Sequence, residues 1–179
     1  MIEYDAIVYD LDGTLVHLDV DWDAVSREAR DVYRRNGTEP PATESWDLLT
    51  EADRIGRREE VDAVIAGHER AGARTSARLP LADAIGTHQA PVGVCSLNCE
   101  AACLIALERH GLTDAVDSVV GRDTVPAMKP DPAALFEAVE RLPGDRESVL
   151  FVGDSRSDEV TAERAGVAFR YVYEWVETF

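Results

Sequence analysis

The stretch Tyr9-Asp10-Leu11-Asp12-Gly13-Thr14-Leu15 constrains this chain more than any other. The run before it, Ala6-Ile7-Val8-Tyr9, is short, apolar and rich in β-branched residues, and reads as a buried strand. Two carboxylates, Asp10 and Asp12, then stand one residue apart where the strand should end. On extended backbone side-chain direction has a period of two, so both acids project to one side. Gly13 permits a bend or a close backbone approach immediately after them. Like charges about 4 Å apart repel by roughly 4 kcal/mol at an effective dielectric of about 20. A bound cation is the simplest way to offset that repulsion.

Beyond this stretch the pattern changes to helix. Ala24, Val25, Ala29 and Val32 form an apolar stripe that Asn36-Gly37 ends. A Pro-containing loop over 37–43 leads to a second helix expected from Glu44 to about Ile55, and a third from about Glu59 to Gly72. Leu79-Pro80-Leu81 returns the chain toward the first unit. Residues from about 16 to 80 are thus helical and charged, with no expected strand, and read as an insertion over the end of the first strand. Alternation then resumes. Strands are expected over 92–96, 118–121, 148–152 and 169–173, with helices between them from 98 or 100 to 110, from Pro132 and from 156 to 165. Asp131 is placed to cap the Pro132 helix, whose buried face is Leu135, Val139 and Leu142. Strand–helix alternation of this kind implies an α/β fold with a parallel sheet.

At 179 residues the chain suits one core domain carrying an insertion. Its 35 acidic residues against 18 basic ones give a net charge of −17. That excludes a non-specific grip on nucleic acid or an anionic membrane, which relies on Lys and Arg clusters. The acids are spread along the whole length, so no acidic tail is indicated. At about 1 M salt the Debye length is roughly 3 Å, and such a surface no longer repels itself at long range, so adaptation to high salt is expected. Cys95, Cys99 and Cys103 lie four residues apart and suggest buried thiols, with Cys99 and Cys103 on one helical face, rather than disulfides or a metal site. Neither a secretory leader nor a membrane-length apolar run is visible, so a soluble, cytoplasmic chain is expected.

Several polar positions follow the expected strands: Asp10 with Asp12, Ser96, Lys129, and Asp154 with Asp158. In open parallel sheets ligands bind beyond the carboxyl ends of the strands, where residues distant in sequence meet. Lys129 is the only lysine of the chain. Arg122 follows its strand more closely but reads as a solvated loop residue. Carboxylates are hard ligands suited to Mg²⁺, which takes few protein ligands and keeps several waters. Asp10 and Asp154, with the main-chain carbonyl of Asp12, would suffice. The chemistry this implies is phosphoryl transfer. Asp10 would attack phosphorus, Asp12 would serve as acid and then base, and Lys129 would hold phosphate oxygens. Ser96 and backbone N–H groups near Gly13 and Asn98 would share that last task, and Asp158 would support the metal through water or orient Lys129. Arg27, Arg54, Arg57 and Arg58 in the insertion, and His17, are weaker candidates for a second anionic group. Exposed arginines are mostly only solvated.

The motifs Asp10-Leu11-Asp12-Gly13-Thr14-Leu15-Val16, Ser96, Lys129-Pro130 and Gly153-Asp154-Ser155-Arg156-Ser157-Asp158 resemble the four motifs of the haloacid dehalogenase-like hydrolase superfamily. Lys129-Pro130-Asp131-Pro132 and the stretch from Gly153 to Gly166-Val167 look most like its phosphoglycolate phosphatase-like branch. The resemblance implies a Rossmann-like core over 1–15 and 81–179 with a helical cap over 16–80. It places Asp10 as nucleophile, Asp12 as acid/base, Ser96, Lys129 and Asn98 at phosphate-binding positions, and Asp10, Asp12 and Asp154 around Mg²⁺, with Asp158 and Thr14 in support. An extra residue, Leu97, separates Ser96 from Asn98, which are often adjacent in the family. Because dehalogenases lack the second acid of the first motif, Asp12 points to a phosphatase acting on a small phosphorylated metabolite. A phosphomutase or other phosphotransferase on the same scaffold, and a non-catalytic module that accepts phosphate on Asp, stay open as alternatives. Oligomeric state is not legible.

Overall fold

The computed structural model of the protein describes residues 4–42, 45–87, 89–143 and 147–176. Among these a parallel sheet is built from β1 (Ala6–Tyr9), β4 (Val92–Cys95), β5 (Ser118–Val120), β6 (Val149–Gly153) and β7 (Ala168–Tyr171). Its spatial order is β5-β4-β1-β6-β7, which puts β1 at the centre. Tyr9 is level with Val94 on one side and Val152 on the other, so the three middle strands end together. The residues that follow them, Asp10, Ser96 and Asp154, therefore emerge along one edge. This is a Rossmann-like α/β fold.

Alternation along the strands explains why both faces are covered. Ile7, Tyr9, Val92, Val94, Leu150 and Val152 join one core with Ala102, Cys103, Ala106 and Leu107 of α4 (Glu100–Arg109). Ala6, Val8, Cys95 and Phe151 face the opposite core, formed with Ala134, Leu135 and Ala138 of α5 (Ala133–Glu140) and Ala162 of α6 (Arg156–Ala165). Strands buried on both sides show as continuous apolar runs, which is why they were legible. The three thiols are buried and unpaired, but Cys99 sits at the N-cap of α4 and not on its face. Asp131 Oδ1 accepts from Ala133 N at 2.9 Å, but the N-cap of α5 is Pro132 and not Asp131, and the helix begins at Ala133. The last strand stops at Tyr171 and not at Tyr173, because residues Val172–Val176 turn into a short helix, α7.

Between β1 and β4 lie α1 (Trp22–Arg35), α2 (Ser45–Ala52) and α3 (Arg58–Thr75). Asp21 caps α1 through Oδ1, which accepts from Ala24 N at 2.9 Å. Gly37, at φ +72°, turns the chain away after it. Thr43 and Glu44, expected at the junction of loop and second helix, lie outside the described residues. The helices share a core of their own: Val25, Ala29, Val32, Tyr33, Leu48, Leu49, Ala52, Val61 and Ile65. The Tyr33 hydroxyl donates to Leu48 O at 2.6 Å and ties α1 to α2. The expectation of no strand here needs correction. β2 (Val16–His17) and β3 (Ala77–Arg78) pair antiparallel, Val16 with Arg78 and His17 with Ala77. Two residues per strand are too few to show an alternating pattern. This ribbon holds the two ends of the segment side by side.

Gly72 of α3 packs directly on the chain leaving the ribbon. A Cβ there would lie 2.6 Å from Asp19 O and 2.8 Å from Val20 Cγ2. In an open helix Gly→Ala stabilises by about 0.5–1 kcal/mol. Here a methyl group would meet backbone, and overpacking costs about 1–3 kcal/mol. Gly72→Ala is thus expected to lower unfolding free energy in urea titration; a rise would mean that the α3 contact is loose.

Candidate active site

A cavity of about 230 Å³ opens at the carboxyl edge of the sheet, lined by Asp10, Asp12, Ser96, Asn98, Lys129, Asp154 and Asp158, with Leu97, Ser155, Trp22 and Trp46. The expected site residues are thus brought together, with one exception. Thr14 is buried, does not line the cavity, and its hydroxyl finds no hydrogen-bond partner among the described residues.

The first acids are set by a tight turn. Asp10 N donates to Val152 O at 2.8 Å, which keeps Asp10 in line with the sheet. The amides of Leu15 and Val16 both return to Leu11 O, at 2.9 and 3.1 Å. Gly13 takes φ +83°, and a Cβ there would sit 2.1 Å from Asp154 Oδ2. Glycine is therefore required twice at this position, by backbone conformation and by the approach of Asp154. Asp12 Oδ1 accepts from Leu18 N at 2.8 Å and lies 3.7 Å from the exposed His17 Nδ1. Burial raises the Asp12 carboxyl above the usual range, partly countered by the Leu18 N–H and His17.

Lys129 occupies the middle of the cluster. Its ammonium donates to Asp10 Oδ1 at 2.8 Å, Asp158 Oδ1 at 2.5 Å and Cys95 O at 3.1 Å, and lies 5.5 Å from the Phe151 ring centroid. Burial pulls the ammonium toward neutrality, but Asp10 and Asp158 together outweigh it, so its pKa is raised and the charge is kept. Burial is also the largest influence on Asp10, which is pushed up to about 7 against the opposing pull of Lys129. Asp158 is fixed from its own helix. Its Oδ2 accepts from Ser155 N at 3.1 Å and Ser155 Oγ at 2.5 Å, while Ser155 Oγ accepts from Asp158 N at 3.2 Å. This reciprocal cap starts α6 and aims the remaining oxygen of Asp158 at Lys129.

Asp10, Asp154 and Asp158 each offer a carboxylate oxygen, and these lie within 4.8 Å of one another. Burial, then Asp158, raises the Asp154 carboxyl, the mark of acids crowded together. An all-oxygen set of this charge suits a hard divalent cation. Both oxygens of Asp158 are already engaged, so Asp10 and Asp154 are the better placed donors.

On the other side Ser96 Oγ donates to Asn98 Oδ1 at 3.0 Å and accepts from Asn98 N at 3.2 Å. Asn98 Nδ2 donates to Glu69 Oε1 at 3.2 Å, and Cys99 N to Glu69 Oε2 at 3.0 Å. Glu69 belongs to α3 and has no solvent exposure. Its charge is met by Arg122, whose Nη1 donates to Glu69 Oε1 at 2.8 Å and Leu97 O at 2.6 Å, while Nε donates to Asp62 Oδ1 at 2.9 Å. Arg122 is therefore no solvated loop residue: its side chain is 1% exposed. Burial opposes its charge, but Glu69 and Asp62 more than restore it, so its pKa is raised. The signal for Glu69 lay in spacing. Val61, Ile65 and Glu69 fall four apart on one helical stripe, and an acid within an apolar stripe needs a buried partner. The weaker candidates are elsewhere: Arg54 pairs with Glu51, Arg57 with Glu60 and Arg58 with Asp53 on the surface, and Arg27 is exposed.

Acids and a serine at the ends of the middle strands, joined in one edge cavity by a buried lysine from the loop between β5 and α5, mark the chain as an α/β enzyme. The family model for haloacid dehalogenase-like hydrolases matches residues 81–172. A phosphoglycolate phosphatase of Cereibacter sphaeroides is 32% identical over 181 residues, spanning 91% of this chain and 82% of that protein. Another, of Rhodospirillum rubrum, is 32% identical over 184 residues, spanning 90% and 76%. A solved HAD-superfamily hydrolase of subfamily IA, variant 1, from Geobacter sulfurreducens has a TM-score of 0.63 at 22% identity, covering 99% of this chain and 100% of that one. The chain belongs to the haloacid dehalogenase-like hydrolases. It stands in their phosphoglycolate phosphatase-like branch, among the phosphatases. Among the described residues no helix is long and apolar enough to cross a membrane.

Removing one partner of a buried ion pair costs about 3–5 kcal/mol, because the other charge is stranded. Arg122→Met is expected to lower unfolding free energy by that amount in urea titration, and Arg122→Met with Glu69→Gln to recover part of it. A single variant as stable as the parent would mean that Glu69 has another counter-charge.

Proposed function

We propose that the protein is a Mg²⁺-dependent phosphatase that hydrolyses a small phosphorylated metabolite through an aspartyl-phosphate on Asp10. The observation that carries this reading is the placement of the only lysine: buried, bonded to Asp10 and Asp158, and beside Asp154. A carboxylate held against an ammonium in a cavity open to solvent on one side is arranged to meet a phosphate.

In the first half-reaction an Asp10 oxygen attacks phosphorus as the bond to the ester oxygen breaks. Asp12, whose carboxyl is raised by burial, gives its proton to the departing oxygen. In the second half Asp12 takes a proton from water, the water oxygen attacks phosphorus, and the bond to Asp10 breaks, which frees phosphate and restores both acids. Lys129 stays charged throughout and balances the equatorial oxygens. Ser96 Oγ and the Asn98 side chain would hold those oxygens, and Thr14 would support the turn that carries Asp12. Asp10, Asp154 and the Asp12 carbonyl would hold Mg²⁺, with Asp158 holding Lys129 in place beside it. When bound, Mg²⁺ would neutralise phosphoryl charge and offset the repulsion among the acids. Residues 16–80 form a cap over the site in this reading. The acidic surface is read as adaptation to high salt in a cytoplasmic setting.

Multiple turnover of p-nitrophenyl phosphate with Mg²⁺ at high KCl is expected, and Asp10→Asn should lose at least about a thousand-fold in kcat. A single phosphate retained per chain would indicate a phosphoacceptor module instead, and a fully active Asp10→Asn would remove Asp10 as nucleophile. Mg²⁺ is expected to raise the Tm of the parent, and EDTA to return it. Asp154→Asn should lose most of that shift. An equal shift in both proteins would place the ion elsewhere.

A further inference from the structure

The cavity that holds Asp10 is also lined by two indoles. Trp22 opens α1 and Trp46 lies in the first turn of α2. Their ring centroids are 5.5 Å apart at an interplanar angle of 53°, and both rings line the cavity that Asp10 and Asp12 line. Both are only partly buried, although each packs against the core of the three helices. Large apolar rings left partly open beside a cluster of acids favour a ligand surface over structural filling.

Charge narrows what that ligand can be. Among the described residues that line the cavity, four are aspartates and Lys129 is the only cation. Lys129 is already bonded to Asp10 and Asp158. Arg54, Arg57 and Arg58 pair on the surface with Glu51, Glu60 and Asp53, Arg27 is exposed, and none of the four lines the cavity. Arg122, the nearest buried cation, does not line the cavity. It is shared between Asp62 and Glu69, and its guanidinium carbon lies 5.1 Å from the centroid of the Trp46 ring. That contact also fixes the indole from outside the cavity lining.

We infer that the group released with phosphate carries no anionic charge and lays an apolar or ring face against Trp22 and Trp46. This rests on the phosphatase reading above and goes further, since it sets the expected substrate apart from a phosphorylated carboxylate. A carboxylate on the leaving group would enter a cavity whose described lining holds four aspartates and one cation, already bonded to two of them.

Benzyl phosphate and phosphoglycolate test this directly, because both release a primary alcohol. With Mg²⁺ the parent enzyme is expected to favour benzyl phosphate in kcat/KM by at least about ten-fold, the scale of one aromatic contact plus an avoided unpaired charge. Trp22→Leu and Trp46→Leu should each shrink that ratio, mainly through a higher KM for benzyl phosphate. Equal or better use of phosphoglycolate by the parent overturns the inference, and needs no variant to be seen. A ratio that neither substitution changes overturns the role of the indoles. Hydrolysis of neither compound, nor of p-nitrophenyl phosphate, would instead remove the phosphatase reading itself.

Discussion

The buried ammonium of Lys129 is the interaction on which the site depends. Asp10, just past the central strand, and Asp158, in the first turn of α6, both accept from Nζ. Without that charge the two acids, with Asp154 nearby, would be stranded in a poorly solvated space. Burial alone pushes such groups toward their neutral forms. With Lys129 in place the acids can share one cavity. Net charge far below zero on the rest of the chain makes this more exacting, because the surrounding surface adds no positive potential.

Parallel topology supplies the convergence. β1 lies between β4 and β6, and the three end level. Residues about 85 and 145 positions from Asp10 in sequence therefore arrive beside it without any long irregular loop. The turn after β1 has to be tight enough to admit Asp154, and Gly13 is the residue that allows it. A single side-chain carbon there would fill the space in which the acidic group meets the turn.

How much of this could be read from the amino-acid order follows from where the forces act. The sheet was legible because its central strands, β1, β4 and β6, are buried on both faces and appear as apolar runs. The polar residues beyond the strand ends were legible because parallel strands share an edge, so position after a strand implies position in the cavity. The ribbon of β2 and β3 was hidden, since its four residues pair through backbone alone. Arg122 was hidden for a different reason: its partners Asp62 and Glu69 come from α3, about 60 and 53 positions earlier, and a charge looks solvated until its partner is located. Glu69 did carry a trace, as the acid in the stripe of Val61 and Ile65. Trp22 and Trp46 carried no signal of their own, because nothing local says which way the first turns of α1 and α2 face.

The Glu69–Arg122 pair also joins the two halves of the molecule at a point where the join matters. Glu69 grips Asn98 and the amide of Cys99, while Arg122 grips Leu97 O, so the loop that carries Ser96 is clasped between α3 and the end of β5. Gly121 reinforces the clasp, because its α-carbon lies where a side chain would press on the backbone of Glu100 and Asn98. A buried ion pair is a weak source of net stability, since desolvation consumes most of its Coulomb energy. Its directional bonds are better suited to fixing geometry. α3 therefore cannot swing far from the sheet without exposing two charges and loosening the serine loop. α1 and α2, the helices that carry the tryptophans, share a buried core with α3 and so are held to the sheet by way of the same clasp. Within the segment α3 holds the loop of Ser96 and Asn98, while α1 and α2 bring Trp22 and Trp46 to the same cavity.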